Sequence, residues 1–290
     1  MAAPKKKHET PTTGHSWDGI EEFDNPMPRW WLWTFYVTIA WAVVYWILYP
    51  AWPLVSGATT GILGYSSRGE VAAEIAEVDQ ANQVWFNRLM ETDLNAIHED
   101  TELQRFAVNA GAAVFRAHCS QCHGAGADGL RPGSGFPNLL DDDWLWGGTM
   151  EDIEFTVAHG IRNDDYPDAR YSMMPAFGRD GLLTSDEIDQ VVHHVLSLSG
   201  QPHDAVLAAP GAELYLDNCA ACHMDNGAGD TFVGAPALNN AIWLYGGSFE
   251  AIRASVYNAR FGIMPGFANR LPEAQVRAVA AYVHQLGGGQ

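Results

Sequence analysis

Two pentapeptides of one pattern contain all four cysteines of this 290-residue chain. Each reads Cys-x-x-Cys-His, and this pattern is typical of c-type haem attachment. Two thiols three positions apart can each form a thioether with one vinyl group of a porphyrin, and the adjoining histidine then supplies the proximal nitrogen to the iron. The sequence therefore predicts two covalently bound haem c groups. The covalent anchors would be Cys119, Cys122, Cys219 and Cys222, and the proximal iron ligands His123 and His223.

Zinc binding and dithiol redox chemistry are the competing interpretations of such cysteine pairs. A four-cysteine zinc site usually places its two pairs about 15–20 residues apart, whereas Cys219 comes 100 residues after Cys119. A thioredoxin-like pair needs a strand–helix setting and no histidine at a fixed offset. No cysteine is left over for structural disulfides. The pattern favours haem, and two such groups in one chain indicate electron transfer.

The second half of the chain is an internal repeat of roughly 95 residues. The matched segments are Gly111 with Gly211, Phe115 with Tyr215, 137–139 with 236–238, 144–149 with 243–248, 174–177 with 264–267, and 183–200 with 271–288. Each copy resembles a class I cytochrome c domain, with a helix entering the haem motif, glycine-rich loops, a middle helix and a closing helix. We expect Gly111 and Gly211 to let the first and closing helices approach closely.

A methionine directly precedes proline at the same place in both copies, at Met174 and Met264. Thioether sulfur is a soft ligand that favours ferrous iron and raises the reduction potential. A lone methionine is usually a core residue, but recurrence in register with the haem motif favours axial ligation by both. Met173 competes with Met174, and Ile263 at the equivalent place in the second copy favours Met174. By default each methionine would serve the haem of its own copy.

Charge is distributed unevenly along the chain, whose formal net charge is −19. All the lysines lie within the first seven residues, and after Arg29 there are 12 arginines against 30 Asp and Glu residues. An acidic exterior excludes nucleic acid as a natural ligand and attracts basic partners, such as a small positively charged electron carrier. An equally good interpretation is that it keeps the protein soluble. Arg131, Arg162 and Arg260 are candidates to neutralise haem propionates.

An uncharged run of 20 residues, Trp30–Tyr49, lies near the N-terminus. As a helix it would be about 30 Å long, enough to cross a bilayer core, and aromatic residues crowd both of its ends. Lysines precede the run and no basic residue follows until Arg68, so the positive-inside rule predicts a cytoplasmic N-terminus and haem domains on the opposite, periplasmic side. A cleaved signal peptide would have a shorter leader and a shorter apolar region. The sequence therefore predicts an uncleaved single-pass anchor.

The predicted fold class is all-α, with a single N-terminal transmembrane helix followed by two tandem class I cytochrome c domains. The expected segments are a cytoplasmic segment (1–29), an anchor (30–50), a periplasmic linker (51–103) and cytochrome c domains at 104–200 and 208–288. The linker contains a helical stretch, Glu70–Met90. It is either a docking element for a membrane partner or a spacer packed on the first haem domain, and the spacer is favoured.

The motifs WLWGGT, SMMPAFG, WLYGGS and IMPGF, together with the anchor, closely resemble the dihaem subunit III, CcoP or FixP, of cbb-type haem-copper cytochrome c oxidases. The resemblance implies a protein of the bacterial inner membrane that takes electrons from a donor cytochrome c. It would relay them to a monohaem cytochrome c subunit and then to the catalytic haem-copper subunit, where oxygen is reduced. The resemblance also leaves open a crossed arrangement, in which each copy lends its methionine to the haem of the other.

Catalysis of oxygen reduction is not expected within this chain. A haem-copper centre needs a histidine cluster inside a bundle of many membrane helices, and one span is predicted. Two other functions stay open. The chain could be an independent dihaem shuttle or the cytochrome subunit of a dehydrogenase. A dihaem peroxidase would need one exchangeable sixth position, and a Met-Pro pair in both copies argues against it.

Overall fold

The computed structural model describes residues 10–131 and 133–290. The chain divides into two compact units, one reaching to Ala81 and the other running from Asn82 to Gln290. Both are mostly helical. The first unit contains the predicted anchor, and the second contains both haem motifs.

Two short hairpins flank the long apolar helix of the first unit. Strands β1 (Thr12–Trp17) and β2 (Ile20–Phe23) pair antiparallel before helix α1 (Arg29–Leu48). Strands β3 (Pro53–Leu54) and β4 (Gly57–Ala58) pair antiparallel after it. All four strands are exposed along their length.

Helix α1 is apolar on every face and buries none of its residues within the chain. In the part of the chain that the structure describes, it is the one helix long and apolar enough to span a bilayer. The backbone amides of Ile62 and Leu63 donate to the carbonyls of Ile47 (2.9 Å) and Leu48 (3.1 Å), which satisfies acceptors that a helix end leaves free. A helix that is hydrophobic all round needs an apolar surrounding. Helix α1 is therefore a candidate membrane anchor.

Helix α2 (Ser67–Glu91) confirms the helix expected over 70–90. Near its C-terminal end Leu89 is fully buried, and the ring of Trp85 stacks on Phe106 with centroids 5.8 Å apart. A 3-10 helix (Leu94–Glu99) follows and contributes the buried Ile97 to the same core. The end of α2 thus packs as the spacer interpretation expects.

The second unit contains both repeats, and the repeats exchange their closing helices. The first repeat forms α3 (Thr101–His118), α4 (Ser120–His123), α5 (Met150–His159) and α6 (Ser185–Leu198). The second forms α7 (Ala205–Asn218), α8 (Ala220–His223), α9 (Phe249–Asn258) and α10 (Glu273–His284). Helices α3 and α5 pack against α10, whereas α7 and α9 pack against α6. We call α3, α4, α5 and α10 the first lobe, and α7, α8, α9 and α6 the second lobe.

The glycines that precede the haem motifs mark the two helix crossings. A Cβ at Gly111 would overlap the backbone carbonyl of Ala278 on α10, and one at Gly211 would overlap the carbonyl of Gln190 on α6. The close approach of first and closing helices that the sequence predicts is therefore present at both crossings. The crossings differ from the sequence-based prediction in one respect: each first helix is crossed by the closing helix of the other repeat.

A short connection and matched apolar faces explain this exchange. Only residues 199–204 separate α6 from α7, and consecutive helices joined by so short a segment pack beside each other. The two closing helices bury equivalent residues, Val191 on α6 and Val279 on α10. Either helix can therefore cover either first helix. The segments 104–200 and 208–288 are sequence repeats, but each lobe is built from both.

Candidate functional site

Each haem motif begins at the end of a long helix and continues as one short helical turn. The amide of Cys119 donates to the carbonyl of Phe115 (2.8 Å), and the amides of Cys122 and His123 donate to that of Cys119 (3.1 and 3.0 Å). The second motif repeats these three bonds at 2.8, 3.1 and 3.0 Å. The first cysteine of each motif faces the lobe interior, whereas Cys122 and Cys222 are exposed.

The environment of the first cysteine in each motif argues against the dithiol interpretation. All four cysteines are free. Burial, followed by the neighbouring second cysteine, raises the pKa of Cys119 and of Cys219 to about 11. Reactive dithiols instead contain a thiol whose pKa is depressed. Within residues 10–131 and 133–290, no cluster of three or more Cys, His, Asp or Glu side chains could hold a metal ion.

Both motif histidines are buried and oriented by a proline carbonyl. His123 and His223 are each 9 % exposed. Nδ1 of His123 lies 3.2 Å from the carbonyl oxygen of Pro137, and Nδ1 of His223 lies 2.9 Å from that of Pro236. Burial lowers the pKa of both imidazoles, so they are neutral near pH 7 and Nδ1–H is the donor. Nε2 is therefore left with a free lone pair for iron.

Pro137 and Pro236 are the orienting residues that sequence reasoning did not single out. The repeat did contain the signal, because Pro-x-Leu recurs after each motif, with Pro137 14 residues after His123 and Pro236 13 residues after His223. Their carbonyls act on the ring nitrogen away from the iron side. Such outer partners fix the ring orientation and raise the basicity of a ligating imidazole.

A cavity opens beside the second motif, and the residues that line it are those that a haem would need. Cys219, Cys222 and His223 line it together with Met174. Its remaining wall includes apolar side chains such as Tyr215 and Ile252. The covalent anchors, one nitrogen ligand and one sulfur ligand thus surround a single space in the second lobe.

The methionine loops are exchanged together with the closing helices. Met174 packs on the core of the second lobe, and Met264 packs on the core of the first lobe. The backbone of Met264 pairs with Ile161 directly after α5, with N···O distances of 2.9 and 3.0 Å. In the second lobe the amide of Phe177 donates to the carbonyl of Val256 on α9 (3.2 Å). The structure therefore brings Met174 to His223 and Met264 to the lobe of His123, unlike the default arrangement within each copy.

Met173 has a different environment from its neighbour. Its side chain is 47 % exposed, and its sulfur accepts a hydrogen bond from the hydroxyl of Tyr171 at 3.0 Å. Met174 is half-buried against the core. These surroundings favour Met174 as the ligand in this pair.

Buried donors without partners also fit the propionate groups of a haem. Nε1 of Trp146 and Nε of Arg170 are buried and have no hydrogen-bond acceptor among the residues that the structure describes. The Arg170 guanidinium lies 5.6 Å from the Trp146 ring centroid, and it donates to Asp152 on α5 at 2.8 Å. Tyr245, the equivalent of Trp146, lines the cavity of the second lobe together with Arg162 and Arg260. The two orphaned donors, on Trp146 and Arg170, suit a carboxylate-bearing group.

Comparison with known proteins matches both units of the chain. The model described as N-terminal domain of cytochrome oxidase-cbb3, FixP, matches residues 9–56, and the cytochrome c model matches residues 108–199 and 208–287. The chain is 60 % identical to the cbb3-type cytochrome c oxidase subunit CcoP of Cereibacter sphaeroides, over 99 % of this chain and 98 % of the relative.

Two further relatives also match this chain over nearly its full length. A Rhodobacter capsulatus CcoP subunit is 51 % identical over 99 % of both chains, and a Bradyrhizobium FixP subunit is 46 % identical over 97 % of this chain and 96 % of the relative. Two cytochrome c domains carry two covalently bound haem c groups. The chain belongs to the CcoP/FixP family of cbb3-type cytochrome c oxidase subunits.

Proposed function

We propose that this chain is the membrane-anchored dihaem relay of a cbb3-type oxidase. It takes single electrons from a donor cytochrome c and delivers them to a monohaem cytochrome c subunit, and through that subunit to the catalytic haem-copper subunit. The supporting observation is the pair of lobes that each combine a Cys-x-x-Cys-His turn, a buried neutral histidine and one half-buried methionine. When bound, the two haem groups supply reversible one-electron chemistry.

The residues of each lobe divide this work between them. Cys119 and Cys122 anchor one group and Cys219 and Cys222 the other, so neither is lost during turnover. The proposed axial pairs are His123 with Met264 and His223 with Met174. Methionine sulfur stabilises the ferrous state and raises the potential. The apolar walls exclude water, and this keeps the reorganisation energy of electron transfer small.

We place the N-terminus in the cytoplasm and the haem lobes in the periplasm, anchored to the inner membrane by α1. The lysines that precede the anchor and the lack of basic residues directly after it support this orientation. A protease added to intact spheroplasts should digest a tag fused after Gln290 and spare a tag fused before Met1. Digestion of the N-terminal tag alone would reverse the orientation.

The acidic exterior supports a basic donor. Residues after Arg29 carry almost the whole net charge of −19, and a field of one sign raises the association rate of an oppositely charged partner. We expect electron uptake by the purified oxidase from a basic cytochrome c to slow about tenfold or more between low and physiological ionic strength. Stopped-flow mixing with the prereduced donor measures this rate.

An uncharged small reductant provides the control, because screening should leave its rate unchanged. A donor rate independent of salt would contradict docking by charge and leave the acidic surface a role in solubility alone.

A further inference from the structure

One arginine lies between the two methionine loops and has no counterpart in the other repeat. Arg162 comes three residues after α5, and the residue at the equivalent position after α9 is Phe261. The guanidinium carbon of Arg162 lies 5.8 Å from the ring centroid of Phe261 itself. The side chain is half-buried, and it also lines the cavity of the second lobe.

The guanidinium of Arg162 is bonded to both methionine loops at once. Its Nε donates to the carbonyl of Gly262 at 2.7 Å, and its Nη1 donates to the carbonyl of Ser172 at 2.9 Å. Gly262 lies two residues before Met264, and Ser172 lies two residues before Met174. A single side chain thus holds the same position of both loops.

The backbone around Arg162 is fixed to the same loops. The residue before it, Ile161, pairs with Met264 through two backbone hydrogen bonds, and the amide of Arg162 donates to the carbonyl of Arg170 at 2.8 Å. Arg162 has φ +50°, a left-handed conformation that is strained for a non-glycine residue. The surrounding bonds hold this conformation and aim the side chain between the loops.

We propose that Arg162 is a positioning residue that fixes the sixth-ligand geometry of both haems together. This inference rests on the proposed function, in which Met174 and Met264 are the axial ligands. A planar guanidinium can bond two carbonyls in a fixed fork, whereas a lysine ammonium is a single point charge that cannot reproduce that geometry. If Arg162 only neutralised a haem propionate in the second lobe, the expected results would differ. Lysine would then supply the same positive charge, and the haem of the first lobe would be unaffected by either substitution.

The test compares Arg162→Lys and Arg162→Gln in the full chain within its oxidase complex. We expect both variants to weaken the methionine-to-iron charge-transfer band of the ferric spectrum at both haems, and to lower both midpoint potentials in a redox titration. The two haems are separated by repeating the measurement in the Cys119→Ala/Cys122→Ala and Cys219→Ala/Cys222→Ala backgrounds. Arg179→Lys is the matched control, since the Arg179 side chain is exposed and forms an ion pair with the adjacent Asp180.

Two results would overturn the proposal. One is a change confined to the haem at His223 that the lysine variant restores, which would assign Arg162 a local charge role. The other is an unchanged band and potential at both haems in both variants.

Met174→Leu and Met264→Leu belong in the same series. If those two variants leave the charge-transfer bands unchanged, the ligand assignment is wrong. If they weaken the bands while the Arg162 variants do not, the ligand assignment stands and only the positioning role of Arg162 is refuted. If the glutamine variant loses haem, the spectra and potentials of the lysine variant alone test the proposal.

Discussion

Replacing Met264 by leucine should change the haem attached at Cys119 and Cys122, although Met264 belongs to the other repeat. The Met264 loop pairs with Ile161, and it packs on the core that contains α3 and α5. Leucine has nearly the volume of methionine, so the packing cost should stay below about 1.5 kcal/mol. Loss of the sulfur ligand should abolish the charge-transfer band of that haem, lower its potential and open a position that binds carbon monoxide.

Single-haem backgrounds make this assignment decisive. In a chain with Cys119→Ala and Cys122→Ala, which retains the haem of the second lobe, Met264→Leu should be spectroscopically silent and Met174→Leu should not. The complementary background, with Cys219→Ala and Cys222→Ala, should give the reverse. The opposite pattern in both backgrounds would show that each methionine ligates the haem of its own repeat.

The crossed lobes link the fold to the redox chemistry. Each haem site draws its covalent anchors and its histidine from one repeat, and its proposed methionine and closing helix from the other. Neither repeat can therefore complete a site of this kind alone. A strained or displaced methionine loop in one repeat would therefore change the haem whose cysteines belong to the other repeat. Because the two loops lie close to each other at Arg162, this one side chain can act on both haem sites.

Local features of this structure were predictable from the sequence because local residues determine them. The turn that presents His123 follows from Cys-x-x-Cys-His, and the anchor follows from one uncharged run that differs from α1 by a residue at each end. The start of α6 was predictable too. There the Thr184 hydroxyl accepts from the amide of Glu187, while the Glu187 carboxylate accepts from the amide of Thr184 at 2.8 Å, a capping box.

The pairing of the repeats was not predictable, because the sequence offers two equivalent solutions. Val191 and Val279 occupy equivalent places on interchangeable helices, so hydrophobic pattern alone cannot assign α6 or α10 to a first helix. The short segment between α6 and α7 decides the pairing, and its effect depends on three-dimensional packing. The role of Arg162 was hidden for another reason: its acceptors are backbone carbonyls, which leave no mark in a sequence. The sequence-based prediction that Arg162 neutralises a haem propionate rests on its charge, whereas the proposed positioning role rests on these hydrogen bonds.

A buried charge on α10 should remove the haem of the first lobe, although α10 lies at the end of the second repeat. Val279 is fully buried in the core of the first lobe, and an unpaired carboxylate there costs several kcal/mol. Such a cost is comparable with the roughly 5–15 kcal/mol that stabilises a whole domain. In Val279→Asp we therefore expect the peptide containing Cys119 and Cys122 to lose most of its haem, as measured by mass spectrometry of haem peptides after proteolysis.

Val191→Asp is the matched variant, because Val191 is the equivalent residue on α6 and is 1 % exposed in the core of the second lobe. It should deplete haem at Cys219 and Cys222 and spare the first motif. Both variants carry the same charge at the same depth, so a difference between them reports which lobe each helix closes. If each variant instead depleted the motif of its own repeat, the exchange of closing helices would not exist in solution, and the crossed axial pairs would have to be abandoned with it.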